Sequence, residues 1–300
     1  MAILGAGDIG GALAREIAAL DLVSRIVIVD DLANVAAGKA LDVAQSGPVD
    51  GYHTALSGTS DVAAVVGASA IVIADRADSG PSASAQATAD KQALKPPSPR
   101  DSEWTDDAGL ALLKRVAGLN QQAFIVCAGA RQASIIEKGV NEAGLPRLRV
   151  FGSAPEALRS AVIAITAVEA NAAPADISLS VLGRPPGSVI VPWDEASIAG
   201  RCATQVLTAA QLVRLEARIA RLWPPGSYAL AAAAARLVQT ALTRSVRVHA
   251  AQVAVTRDEG RPGRSASMPV TLHLAGIATL VPPSLSARDR VRFETSMATD

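Results

Sequence analysis

Apolar and polar positions along the first half of the chain follow two alternating patterns. Short β-branched and apolar runs at 26–29, 71–74, 124–127 and 149–151 read as buried strands. Between them, residues 34–45, 108–116 and 132–143 place apolar side chains at helical spacing. Strand and helix in alternation predict an α/β fold with a doubly wound parallel sheet over residues 1–149. Beyond Phe151 the pattern changes to a helix at 155–170, a hairpin-like pair at 177–182 and 188–191, and helices at 209–222 and 228–243. Strands at 246–256, 269–274 and 277–280 and a last helix from about Ser286 complete an α+β second domain, residues 150–300. Thr208 with Gln211 and Ser286 with Asp289 have the spacing of helix-capping pairs. Residues 75–105 break the alternation with Pro81, Pro96, Pro97 and Pro99 among serines, alanines and mixed charges. That stretch is too long for an ordinary connection, so it reads as a functional lid or a surface insertion.

The first strand runs into Gly5-Ala6-Gly7-Asp8-Ile9-Gly10, and a helix is expected from Ile9 to about Leu20. Glycines here let the backbone turn tightly and approach a pyrophosphate, and the helix then points its N-terminal amides at the phosphates. Asp30 closes the second strand about 20 residues after Gly10, the spacing at which a carboxylate accepts ribose hydroxyls. Gly5, Gly7, Asp8, Ile9, Gly10 and Asp30 are therefore the candidate cofactor residues. Arg15 and Arg25 lie nearby, but Asp31 adds negative charge after Asp30, so NAD is expected over NADP. The structural alternative is a glycine-rich strand-to-helix turn with no ligand.

Composition narrows the partners. Basic and acidic residues balance at 28 each, which argues against nucleic acid or an anionic membrane surface as partner. Half the residues are hydrophobic, enough for a substantial core. Cys127 and Cys202 are too few and too far apart for a disulfide framework or a zinc site, so no metal is expected and a reducing, cytoplasmic setting fits. The fingerprint lies where a signal peptide would have to be, and the short first strand suggests a natural start a few residues upstream.

Taken together, the segments resemble the lactate/malate dehydrogenase family over nearly the whole chain. The resemblance rests on the glycine fingerprint, Gly38-Lys39-Ala40-Leu41-Asp42, Gly58-Thr59-Ser60-Asp61, Gly187-Ser188-Val189-Ile190-Val191-Pro192, Gly226-Ser227-Tyr228-Ala229 and Met268-Pro269-Val270. It implies a nicotinamide cofactor, a small anionic 2-hydroxy or 2-oxo acid as substrate, and a homo-oligomer associating through helices such as 34–45.

The catalytic positions that the resemblance implies do not carry the expected residues. The family uses a histidine as general acid/base, held by an aspartate, with arginines for the substrate carboxylate. Here the histidine loop reads Gly183-Arg184-Pro185-Pro186-Gly187-Ser188, with Pro186 at the imidazole's place, and a proline carries no proton. Leu158-Arg159-Ser160-Ala161-Val162 puts Arg159 at the supporting aspartate and Val162 at the substrate arginine. The asparagine-proline facing nicotinamide reads Ala128-Gly129-Ala130, the loop arginines fall near Ser79 and Ala85, and Arg76 replaces a glycine after the fourth strand. His53, His249 and His273 are expected to be structural or exposed. Arg76, Arg159 and Arg184 map around the substrate cleft and are the candidate anion residues. Asp75, Asp78, Asp90, Glu103 and Asp106 are the acids that a closing lid would bring to a substrate hydroxyl.

Three readings follow. One is a dinucleotide-binding relative that has lost the family's acid/base set, a pseudoenzyme; the catalytic residues are then unknown. The alternative is an NAD-dependent oxidoreductase on CH–OH donors, with lid residues and Arg76 or Arg159 in new roles. A scaffold that has lost even the cofactor is the third.

Overall fold

The computed structural model describes residues 1–77, 102–255 and 263–298. The proline-rich segment's centre, with Asp78, Ser79, Ala85, Asp90 and its four prolines, lies outside them. The first half builds strands β1 (Ala2–Leu4), β2 (Arg25–Val29), β3 (Ala55–Thr59), β4 (Ala70–Ile73), β5 (Phe124–Cys127) and β6 (Val150–Gly152). They stand parallel in the order 3-2-1-4-5-6, with α1 (Asp8–Ala19), α2 (Ala33–Asp50), α3 (Asp106–Leu119) and α4 (Ala133–Asn141) on the faces. Both sheet faces are covered, and so β4 and β5 are apolar at every position and fully buried. The strand order reverses between β1 and β4, which opens a crevice at their C-terminal ends, the usual ligand position in such sheets.

Helix α5 (Ala154–Ala170) leads into the second half. It carries β7 (Ile177–Ser178), β8 (Leu182–Arg184), β9 (Ser188–Ile190), β10 (Ser197–Ile198), β11 (Arg201–Cys202), the short α6 (Ala203–Val206), α7 (Ala209–Ile219) and α8 (Ser227–Thr243). Strands β12 (His249–Val255), β13 (Arg264–His273) and β14 (Gly276–Leu280) and helix α9 (Ala287–Ala298) follow. Strands β12, β13, β8 and β9 extend the parallel sheet antiparallel from β6, so one sheet runs through both halves. Residues 177–182 are not the single strand that their alternation suggests. Ile177–Ser178 joins β10 and β11 in a separate small sheet, and Leu182–Arg184 pairs with β9. Strand β12 starts at His249, three residues later than the apolar pattern implies, because Val246 and Val248 are exposed.

Alanine decides how α8 packs. Ala231, Ala234 and Ala235 are buried in the cluster shared with Leu13, Ala14 and Ile17 of α1, so the two helices approach through small side chains. Gly58 serves the same end on β3, where a Cβ would stand 2.2 Å from the backbone carbon of Ala36 in α2. Thr208 and Gln211 form the capping box at α7, and the Ser286 hydroxyl accepts from the Asp289 amide at α9. Among the described residues, no helix is long and apolar enough to cross a membrane and no group of His, Cys, Asp and Glu is arranged for a metal.

Candidate active site

The crevice floor is the β1–α1 turn. Gly5 takes φ +114°, a backbone state that favours glycine, and its amide bonds the Val29 carbonyl at 2.7 Å. Asp30 ends β2 beside this turn and is 4 % exposed. Its carboxylate accepts the amides of Ala6 (2.8 Å), Ala77 (2.8 Å) and Leu32 (3.0 Å). Lys39 of α2 reaches over Gly11 and donates to the Gly7 carbonyl at 3.1 Å. Asp8 is exposed and Ile9 buried at the start of α1.

Asp75, at the end of β4, fills the middle of the turn. Its carbonyl accepts the Gly7 amide at 2.9 Å, and its Oδ1 accepts the Gly10 amide at 3.0 Å. A Cβ on Gly7 would lie 2.4 Å from the Asp75 carboxyl carbon, so this glycine is needed because the carboxylate is there. Burial pushes the Asp75 carboxyl above the usual carboxylate range; amide bonds from Gly10 and Ile9 oppose the shift and the Asp8 charge adds to it.

Glu103 does the equivalent at β5. It pairs with Asp75 in an antiparallel bridge, and its carboxylate accepts the Arg131 amide at 2.8 Å. A Cβ on Gly129 would stand 2.2 Å from Glu103 Oε2. Gln132 completes the lining, accepting from the Gly129 amide at 2.8 Å and donating to the Ala74 carbonyl at 3.3 Å. Burial raises the Glu103 carboxyl too, with the Arg131 and Ala130 amides opposing and the Asp75 charge adding. Asp75 and Glu103, named from sequence as acids for a substrate hydroxyl, are instead 2 % and 6 % exposed and engaged by backbone amides. Asp106 opens α3 on the surface.

The structure does not bring the three candidate arginines together. Arg184 lines a cleft of about 950 Å³ between α4, the 185–188 loop and α9, with its guanidinium 3.8 Å from Glu137. Arg131, Pro186 and Arg292 line the same cleft, and that loop holds no histidine. Arg159 lines a separate cavity of about 500 Å³, donating to the Leu179 carbonyl at 2.8 Å and to Glu156 at 3.0 Å. Arg76 lies over the Trp104 ring, 4.9 Å from its centre.

The histidines lie outside the 950 Å³ cleft. His53 is exposed, 3.3 Å from the Asp21 carboxylate, and exposed His273 accepts from the Ala275 amide at 3.2 Å. His249 is buried, with Nδ1 3.1 Å from Glu156 and Nε2 2.9 Å from the Thr240 hydroxyl. Burial alone would raise the Glu156 carboxyl, but the His249 hydrogen bond, the Arg159 charge and the Ala250 amide outweigh it and hold it below the usual range. The Arg159–Glu156 pair is the structural alternative that the sequence offered for Arg159, whereas the His249–Glu156 contact, between residues 93 apart, was not legible there.

A strand order 3-2-1-4-5-6 with a glycine turn at its switch point defines a nucleotide-binding class of α/β fold. No protein-family model matches the chain. Malate dehydrogenase of Thermomicrobium roseum is 26% identical, the match covering 99% of this chain and 94% of the relative. Among solved structures, malate dehydrogenase from Aeropyrum pernix superposes with a TM-score of 0.81 at 14% identity, over 99% of this chain and 95% of the other. Lactate dehydrogenase of Cryptosporidium parvum, complexed with lactic acid and nicotinamide adenine dinucleotide, gives 0.81 at 18% identity, over 99% and 94%. These likenesses confirm the α/β fold expected from sequence, and over its full length the chain is similar to malate dehydrogenase in sequence and to malate and lactate dehydrogenases in fold.

For the dinucleotide implied by that fold, the residues fit in one half and not in the other. On the adenosine side, an open cavity of about 240 Å³ lies beside Asp30, Asp31, Ser60 and Arg115. On the diphosphate side, the Asp75 carboxylate already takes the Gly10 amide and lies against Gly7.

Proposed function

We propose that this chain is a lactate/malate dehydrogenase-like nucleotide-binding protein that does not run the family's ordinary hydride and proton exchange. Its ligand site is the β1–α1 turn with Gly5, Gly7, Asp8, Ile9, Gly10 and Asp30, and residues 1–149 form the nucleotide half. A nicotinamide dinucleotide is the ligand class that relatives suggest, since the C. parvum lactate dehydrogenase and a Plasmodium falciparum malate dehydrogenase are described with NAD or NADH. NAD is favoured over NADP because Asp30 and the exposed Asp31 would repel a 2′-phosphate.

The observation that carries the reading is the cleft around Pro186. Reduction of a carbonyl needs a group that delivers a proton to the developing alkoxide, and the titratable groups lining this cleft are arginines, Lys138 and Glu137. Arginine stays protonated and is suited to binding an anion rather than exchanging a proton. Arg131, Arg184 and Arg292 make the cleft a site for a small carboxylate or phosphate. The buried imidazole of His249 is committed to Glu156 and Thr240 and lines a separate cavity.

Steady-state assay with malate, oxaloacetate, lactate and pyruvate tests this. The expected result is no turnover at ordinary enzyme rates, of order 1–10³ per second. Turnover in that range would refute the reading and favour the alternative, an oxidoreductase with rearranged catalytic residues. Homo-oligomerisation in the cytoplasm belongs to the same proposal; exposed Leu41 and Val49 on α2 supply apolar contact area for it.

A further inference from the structure

The glycines of a dinucleotide fingerprint leave room for a diphosphate, but here that room is taken from inside the chain. A Cβ on Gly5 would meet the Asp75 carbonyl oxygen at 2.1 Å, and one on Gly7 would meet the Asp75 carboxyl at 2.4 Å. Asp75 Oδ1 accepts the Gly10 amide at 3.0 Å, one of the α1 amides that would otherwise face a phosphate oxygen. A carboxylate at that point supplies the negative charge and acceptor oxygens that the helix terminus favours. Asp75 thus stands in for one phosphate of the missing partner.

The backbone under this side chain is fixed. Gly7 donates to the Asp75 carbonyl at 2.9 Å, Arg76 donates to the Ser102 carbonyl at 2.8 Å, and Asp75 is bridged to Glu103. The segment is also clasped by Arg76 stacked over Trp104. Rotation of the Asp75 side chain is the smallest movement that would clear the diphosphate position. The neighbouring cavity needs no such movement. It holds about 240 Å³ between Asp30, Ser60, Trp104 and Arg115, and Asp30 Oδ1, with one amide bonded, keeps acceptor capacity for a ribose hydroxyl.

Resting on the nucleotide-site reading above, we propose that Asp75 is a specificity-determining residue that makes this site select a nucleoside over a dinucleotide. The Asp75 side chain occupies the volume of a diphosphate, and as a carboxylate it also opposes one by like charge. An uncharged adenosine meets neither obstacle. The fingerprint is therefore retained with its ligand preference reversed.

Calorimetric titration of the full chain with adenosine, ADP-ribose and NAD tests this in wild type, Asp75→Asn and Asp75→Ala. Wild type is expected to bind adenosine at least as tightly as ADP-ribose or NAD. Asp75→Ala is expected to tighten both diphosphates by about tenfold or more, with adenosine changed by less than about threefold. Asp75→Asn keeps the shape and an acceptor for the Gly10 amide, so a gain there assigns the effect to charge. If Asp75→Ala does not fold, Asp75→Asn and the wild-type ligand series decide. Wild type preferring NAD over adenosine by about tenfold, or both variants binding NAD as wild type does, would overturn the proposal and leave the nucleotide site standing. Absence of binding by all three ligands to all three proteins would instead remove the nucleotide site itself, and this inference with it.

Discussion

Glu156→Ala is the sharpest perturbation of the second half. The carboxylate accepts from Arg159 at 3.0 Å, His249 at 3.1 Å and the Ala250 amide at 2.7 Å, so it ties α5 to the start of β12. Removing it strands a buried N–H, at about 1–3 kcal/mol, and leaves the half-buried Arg159 without its counter-charge. Breaking a buried pair costs about 3–5 kcal/mol in total, and that is the expected loss at pH 7. Glu156→Gln keeps an acceptor oxygen and should lose only about 1–2 kcal/mol. The carboxyl's folded-state pKa is depressed, so its contribution is present above the unfolded value of about 4.3 and disappears as pH falls through the folded value. Urea unfolding followed by the fluorescence of Trp193 and Trp223, which pack in the second-half cluster, measures this. A loss below about 1 kcal/mol at pH 7, or an equal loss at pH 7 and pH 3, would refute the view that this carboxylate holds His249 and Arg159 in place.

Other consequences are simpler to check. Burial pushes the Cys127 thiol up to about 12, so a thiol reagent on native protein should modify the partly exposed Cys202 first and reach Cys127 only on unfolding. Gly10→Ala places a Cβ 2.0 Å from the Gly5 carbonyl oxygen and should destabilise by more than about 2 kcal/mol, whereas Gly38→Ala, with open space inside α2, should stabilise by about 0.5–1 kcal/mol; chemical denaturation ranks the two. Glu103 has a raised folded-state pKa, so its contribution is fully present below the unfolded value of about 4.3 and lost as pH rises through the folded value. Glu103→Gln should therefore gain stability relative to wild type between pH 5 and pH 8, with Asp75 and the Arg131 and Ala130 amides still facing the site; a falling difference would contradict the assignment.

Local signals in the chain carried much of this fold. Strand–glycine–helix at the start, the apolar runs of β4 and β5, and the pairs Thr208–Gln211 and Ser286–Asp289 depend on neighbours within a few residues, and each appears where its pattern implies. Features set by tertiary partners were hidden. Ile177, Leu179 and Val181 alternate like one strand, but pairing with β10 splits β7 from β8. Asp75 reads as one of several acids near the proline-rich segment. Only the approach of β4 to the β1–α1 turn makes it the acid that fills the glycine turn. Arg76, Arg159 and Arg184 align around one cleft by resemblance, but a stacking tryptophan, the Leu179 carbonyl and Glu137 hold them in three different surroundings.

Single turnover tests the central claim most directly, because it is insensitive to slow product release. Concentrated protein mixed with NADH, at a level that a binding titration shows to saturate it, and saturating oxaloacetate or pyruvate should, after quenching, contain no more oxidised cofactor than a protein-free control. A burst approaching one equivalent of NADH consumed per chain would show that some group in the Pro186 cleft does deliver a proton, and would contradict the account.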